Sequence, residues 1–247
     1  MRINLKNILF ILLPILLLVI GAIFFVYNIK NTGGNMEYFD DLVLENEEEI
    51  LLPEPEKDGE VSVEKAMVDR RSVRSFIEED LTIQEISQLL WSAQGITDSQ
   101  DSKRASPSAG ATYPLEVYIN VSDAEELTPG IYKYNPKNHS LIHKIDKDKG
   151  EEISNAALGQ DFINQAPVNI IITAVYERTT QRYGTRGEQY VHMEAGHAGQ
   201  NIYLQCESLG LATVAVGAFN DDEVAQILRL SEEENPLYIM PVGKPKD

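Results

Sequence analysis

DRRSVRSF, residues 69–76, places Arg70, Arg71 and Arg74 within five positions of a chain that has only nine arginines and a net charge of −18. Guanidinium forks match phosphate oxygens bidentately, and Ser72 between them adds a short hydroxyl donor. The same stretch also fits a solvated basic face balanced by Glu64, Asp69, Glu78 and Glu79, since most charge runs carry no function. Residues 69–76 alone leave both readings open.

Composition narrows the field. Hydrophobic content of 43% and charged content of 24% are those of a globular protein with a real core. The acidic balance argues against nucleic acid, because there is no basic field to neutralise phosphates along a duplex. Cys206 is the only cysteine, so neither an intrachain disulfide nor a cysteine-rich metal site is available.

Residues 8–27, ILFILLPILLLVIGAIFFVY, are twenty uncharged, almost wholly apolar positions, long enough for a helix to cross a hydrocarbon core of about 30 Å. No A-x-A-like cleavage site follows Tyr27, which favours an anchor over a cleaved signal peptide. Arg2 and Lys6 precede the span and an acidic run follows it. The positive-inside rule then predicts a single-pass membrane protein, anchored by residues 1–30, with its domain extracytoplasmic. Residues 31–60 are acidic, with paired glycines and prolines at 53 and 55, and read as a linker. The apolar clusters Leu42–Leu44 and Ile50–Leu52 within it are segments for docking onto the domain or a partner.

The folded domain is expected over 61–247. SVEKAMVDRR, 62–71, has Val63, Ala66 and Met67 on one helical face. LTIQEISQLLWSAQG, 81–95, carries a Thr82-x-x-Glu85 capping box, and Gly95 closes it. After a polar loop, PLEVYINV (114–121) alternates as a strand does, and GIYKYNPKNHSLIHKI reads as a hairpin turning near Asn135–Asn138. Further strands are expected at 167–176 and 210–219. Between them, residues 191, 195, 198, 202, 206 and 209 trace one face of a helix that ends at Gly210. Its small-residue half, EAGHAGQ, permits close approach by another helix or by a planar cofactor. DDEVAQILRL gives one more helix and PLYIMPVGKPKD a last strand. The order predicts an α+β domain, a mixed sheet flanked by helices.

Familiar catalytic signatures are missing. His192 and His197 are five apart and do not form H-E-x-x-H, and neither G-x-S-x-G nor G-x-G-x-x-G occurs. His139 and His143 read most simply as surface residues of the hairpin. Arg178, Arg182 and Arg186 recur every four positions, but Gly184 and Gly187 argue against a stable helix there. They are either a basic loop over a site or simple solvation.

RRSVRSF, PSAGATYPLEVY, GIYKYNPKNH, YERTTQRYG, HMEAGHAGQN with GLATVAVGAF, and the terminal PVGKP together resemble the nitroreductase-like flavoprotein superfamily, in particular its SagB-type dehydrogenase branch. The resemblance covers 61–247 and implies an intertwined homodimer with FMN at the interface. By this resemblance Arg70 and Ser72 meet the FMN phosphate and ribityl chain, Arg71 lies beside them, and Arg74 approaches the pyrimidine side of the ring. Pro107, Ser108 and Ala109 match a loop that reaches the flavin from the partner subunit. Many classical nitroreductases carry an Asn and a Gln further along that loop; this chain has Ala111 and Tyr113 nearby instead. Glu194, Ala195 and Gly196 match the segment whose backbone lies against the flavin N5 edge. Gly243 and Lys244 match a phosphate-binding turn.

The chemistry implied is two-electron hydride transfer at N5, with NAD(P)H as a transient donor, a small-molecule or peptide substrate and no metal. Tyr113, Tyr183 and His197 are acid–base candidates of equal standing. Two alternatives accompany this reading: an azoline-to-azole dehydrogenase acting on a modified peptide, and a membrane-tethered flavin-binding domain without turnover.

Overall fold

The computed structural model describes residues 48–98, 100 and 103–246. Its centre is a seven-stranded sheet of order β1-β6-β5-β4-β7-β9-β8, antiparallel throughout. The strands are β1 (Glu49–Leu51), β4 (Leu115–Val121), β5 (Gly130–Asn135), β6 (Ser140–Ile145), β7 (Val168–Val175), β8 (Ala212–Thr213) and β9 (Glu234–Gly243). A separate short pair joins β2 (Ile96–Asp98) to β3 (Lys103–Arg104). The helices are α1 (Val63–Asp69), α2 (Ile83–Gln94), α3 (Gly150–Ala156), α4 (Glu177–Tyr183), α5 (Arg186–Leu209) and α6 (Asp221–Leu228).

Period-two alternation sorts the strand side chains into two cores. Leu115, Val117, Ile119 and Val121 of β4, with Val168, Ile170, Ile172 and Ala174 of β7, face α2 and α5. Tyr118, Ile171 and Ile239 point the opposite way, onto Ile153 of α3 and Val224 and Leu228 of α6. With both faces covered, β7 is buried along nearly its whole length, Asn169 and Thr173 included. Helix α2 starts as expected: Glu85 N–H donates to Thr82 Oγ1 at 3.2 Å and Thr82 N–H to Glu85 Oε2 at 2.8 Å. On α5, Val191, Ala195, Ala198, Ile202 and Cys206 are buried as the spacing requires. The helix ends at Gly210, whose φ of 68° is open to glycine at little cost.

Several expectations change. The strand expected over 210–219 shrinks to Ala212–Thr213 and an isolated bridge between Val216 and Ile239. The cause is a side chain: Ala215 N–H donates to the Tyr203 hydroxyl at 2.8 Å instead of to a strand partner. The region around Arg178 and Arg182 is helical after all. Gly184, at φ 58°, turns the corner between α4 and α5, and a Cβ on Gly187 would lie 2.9 Å from Thr180 Cα. His143 is buried and stacks on Tyr132 with centroids 4.4 Å apart. His139 is half-buried, its ring nitrogens within 2.8 Å of the Tyr134 hydroxyl and 3.0 Å of Pro53 O. Neither histidine is a simple surface residue, because cross-strand aromatic packing covers both.

The linker reading also shifts. Glu49–Leu51 pair with β6, Leu52 is buried, and Ser87 Oγ donates to Pro53 O at 2.6 Å, so the folded part begins well before Val61. Leu42–Leu44 lie outside the described residues. So does the 8–27 stretch, and no helix among the described residues is long and apolar enough to cross a membrane. The single-pass, extracytoplasmic placement expected from the sequence is therefore corrected and is not carried forward.

Ile172 is fully buried in the central strand. Ile172→Ala is expected to cost about 3 kcal/mol of unfolding free energy, whereas Thr82→Ala, which removes only the cap of α2, costs about 1 kcal/mol. Urea denaturation of both variants checks the order.

Candidate functional site

Helix α1 hands the chain to an extended strip at Arg70, its C-terminal cap. Beyond it, Val73 N–H donates to Thr213 O at 3.0 Å, Ile77 N–H to Lys244 O at 3.0 Å and Lys246 N–H to Ser75 O at 3.0 Å. Residues 72–77 are thus laced between β8 and the C-terminal segment, which collects Arg70, Ser72, Arg74 and Lys244 in one place. The Arg70 guanidinium lies 5.0 Å from the Tyr203 ring centroid, and Ser72 Oγ is 2.9 Å from the Tyr203 hydroxyl. Arg74 sits over Phe162, and Lys244 pairs with Glu79, a hydrogen bond that raises the lysine pKa. A Cβ on Gly243 would lie 3.1 Å from the Phe76 side chain, so a glycine lets the two segments close. Beside Ser72, the Thr213 hydroxyl is buried without a hydrogen-bond partner. Arg71 differs from its neighbours. Its Nη1 donates to the carbonyls of Val68 and Arg70 at 2.9 Å each, which caps the negative end of α1.

The second group forms around the loop after Ala105. Gly110, Ala111 and Tyr113 have φ of 62°, 54° and 46°, a conformation that costs alanine and tyrosine roughly 1–2 kcal/mol each. Side chains hold it there. Tyr113 N–H donates to Ser108 Oγ at 2.9 Å, Arg178 Nη1 to Tyr113 O at 3.1 Å and Arg182 Nη1 to Gly110 O at 3.1 Å. Arg178 also pairs with Glu116 at 2.5 Å. Of the two readings left open for these arginines, neither plain solvation nor a basic loop describes them: they clamp a strained turn.

Against this loop lies Glu194 of α5, only 2% exposed. Burial pushes its carboxyl up to about 7, opposed by a hydrogen bond from Ser108 and by the Arg104 charge. Its Oε1 is buried without a partner. Arg104 donates to Gln94 Oε1 at 2.8 Å and lies 4.5 Å from the Tyr113 ring centroid, while Gln94 Nε2 is itself unpartnered. Ala195 is buried, but Gly196 faces open space.

The structure therefore gathers the sequence-derived residues into two groups. Arg70, Ser72, Arg74, Gly243 and Lys244 form one; in the other, Ser108, which lies between Pro107 and Ala109, meets Glu194, which is followed on α5 by Ala195 and Gly196. Helix α5 carries both, since Tyr203 stands nine residues after Glu194, roughly 13 Å along the axis. Tyr203, Gln94 and Arg104 escaped the sequence reading. Tyr203 sits eight residues after Ala195, close to the apolar stripe, and that was a usable signal. Arg104, in a polar loop, gave none.

Residues 67–244 match the family model described as the nitroreductase family. The chain belongs to the nitroreductase family. This nitroreductase-family chain is 50% identical over 196 residues to a protein of Methanocaldococcus jannaschii that bears a nitroreductase name, covering 79% of this chain and 96% of that one. It is 26% identical to an FMN reductase [NAD(P)H] of Bacillus subtilis, over 74% of this chain and 66% of the relative. A nitroreductase-titled crystal structure from Ralstonia eutropha superposes with a TM-score of 0.72 at 29% identity, over 84% of this chain and 94% of the other.

A raised carboxyl pKa makes the folded state the tighter proton binder. Stability falls as pH rises from the ordinary 4.5 through about 7, by roughly 3 kcal/mol in all. Glu194→Gln is expected to lack this component. The wild-type-minus-variant difference in unfolding free energy, measured across that pH window, isolates it from the other carboxylates.

Proposed function

We propose that this nitroreductase-family oxidoreductase is FMN-dependent, belongs to the SagB-type branch, and passes two electrons as hydride between NAD(P)H and a small-molecule acceptor. The observation that carries the reading is the laced strip that sets Arg70, Ser72, Arg74 and Lys244 together in a chain of net charge −18. These residues fit a phosphate monoester with a hydroxylated chain: three cations, a hydroxyl and the unpartnered Thr213 hydroxyl. Seven residues before Tyr203, roughly 10 Å along the axis, α5 offers the open Gly196 backbone, suited to a planar ring.

Bound there, FMN would supply the hydride-accepting centre. The chain's own residues do the rest. Arg70, Ser72 and Lys244 hold the phosphate end, Gly243 keeps the strip closed, and Arg74 places positive charge where the reduced ring becomes negative. The 107–113 loop, pinned by Arg178 and Arg182, would wall the ring of the flavin held by a second copy. The FMN reductase name of the Bacillus subtilis relative supports both flavin and nicotinamide.

A homodimer belongs to the same proposal. The apolar face expected on α1 buries only Ala66. Val63, Met67 and Val68 are 59%, 58% and 67% exposed. Val63 also lines a cleft of about 530 Å³, with Val61, Trp91 and Leu204. A second copy would cover this face.

Purified protein is expected to be yellow, to bleach anaerobically with NADH or NADPH, and to recover its colour in air. A colourless protein that FMN cannot reconstitute would sink the reading. Arg70→Ala and Arg74→Ala should each weaken FMN binding about ten- to a hundredfold, the loss of one charge-assisted contact. In sedimentation, the wild type should run as a dimer and Met67→Glu should shift it toward monomer; a monomeric wild type would remove the dimer.

A further inference from the structure

We propose that Glu194 is a proton acceptor that takes up one proton from solvent when the bound flavin receives its two electrons, so that the charge arriving on the ring is offset inside the protein. The inference rests on the flavin reading above and deepens it. It starts from the most exposed contradiction in the second group: a carboxyl buried nine-tenths or more, with one oxygen that nothing satisfies.

As a carboxylate, Glu194 would hold a buried charge with an unpartnered oxygen. As a carboxylic acid it keeps the Ser108 bond and leaves only a neutral oxygen without a partner, which costs less. The cation that acts on it, Arg104, is shared. Its Nη1 is on Gln94 of α2, its face is on Tyr113, and it feels Glu116 of β4 and Arg178 of α4 with opposite signs. On α5 itself, Tyr190 and His197 stand about one turn to either side. Cys206 on the same helix cannot share the task, because complete burial pushes its thiol far up.

The balance between the two forms of Glu194 lies close to neutrality, at about 7. A new negative charge nearby disfavours the carboxylate further and tips it to the acid. The resemblance sets this segment against the flavin ring, so the ring's reduction supplies that charge. Hydride from NAD(P)H brings two electrons and one proton to the ring and leaves it one charge more negative. The Glu194 carboxylate and one solvent proton give a neutral carboxyl. In sum two electrons and two protons are taken up, with no change in net charge at the site.

The test is the pH dependence of the flavin midpoint potential in the full chain, reduced by dithionite, together with the oxidised-minus-reduced infrared difference spectrum. Just above neutral pH the wild type should take up two protons per two electrons and show a carboxylic-acid carbonyl band growing on reduction. Glu194→Gln, nearly isosteric and able to keep the Ser108 contact, should take up one proton and lack the band. Ser108→Ala, which removes the bond that holds the acid down, should move the onset of the second proton to higher pH. The apoprotein gives a flavin-free reading: an infrared carboxyl signal that titrates near neutrality in wild type and is absent in Glu194→Gln.

Equal proton uptake in wild type and Glu194→Gln would overturn the proposal. So would a second proton in wild type without the Glu194 band, since that proton would sit on the ring. A protein that holds no flavin overturns the functional reading instead, and is seen before any titration begins.

Discussion

The backbone bonds that lace residues 72–77 between Thr213 and the 244–246 segment are the constraint on which the site depends. They tie residues 72–77 to residues about 140 to 170 positions further along the chain. Without them the arginines of the strip would be scattered in an acidic protein that gains little from holding them. With them, cations that repel one another are held together by main-chain pairing rather than by their own contacts. Such an arrangement is stable alone only because Tyr203, Phe162 and Glu79 cover or neutralise part of it. It gains from an anion.

Around helix α5 the same economy operates with the opposite sign. Its apolar stripe packs into the core, while Tyr203 meets the arginine strip and Glu194 lies against the strained loop. Glu194 is the one acid pulled into the interior there, and Arg104, Gln94 and Ser108 only partly compensate it. Partly satisfied polar groups cost stability, and natural chains keep them chiefly where a site needs them. Left-handed backbone at Gly110, Ala111 and Tyr113, strained at the alanine and the tyrosine and fixed by arginines from α4, stands against that same acid.

What could be read from the sequence follows physical locality. The capping box at Thr82, the stripe on α5 and its glycine stop are short-range patterns, and each appears where the spacing put it. The expected strand over 210–219 failed because a tyrosine from another element took a backbone donor. Gly184 does interrupt the helix, ending α4 at a corner, whereas Gly187 sits inside α5 and admits the close approach of Thr180. Met67 and Val63 satisfied the helical spacing without being buried in the single chain. Periodicity reports a face, not what covers it.

By itself the sequence determined the α+β class, the family, the arginine strip and the long small-residue helix, because each rests on residue type and spacing along a few turns. Only the tertiary structure decided which of those residues meet. It divided the candidate site residues between the stretches of α5 around Glu194 and around Tyr203, placed Arg71 against the carbonyls that end α1, and set Arg178 and Arg182 as clamps. It also revealed Gln94, Arg104 and Tyr203 as neighbours of the site. The clamps reach across 65 and 72 positions and Ser72 meets Tyr203 across 131; such contacts are set by how the sheet and helices close on one another, and no local pattern in the chain encodes them.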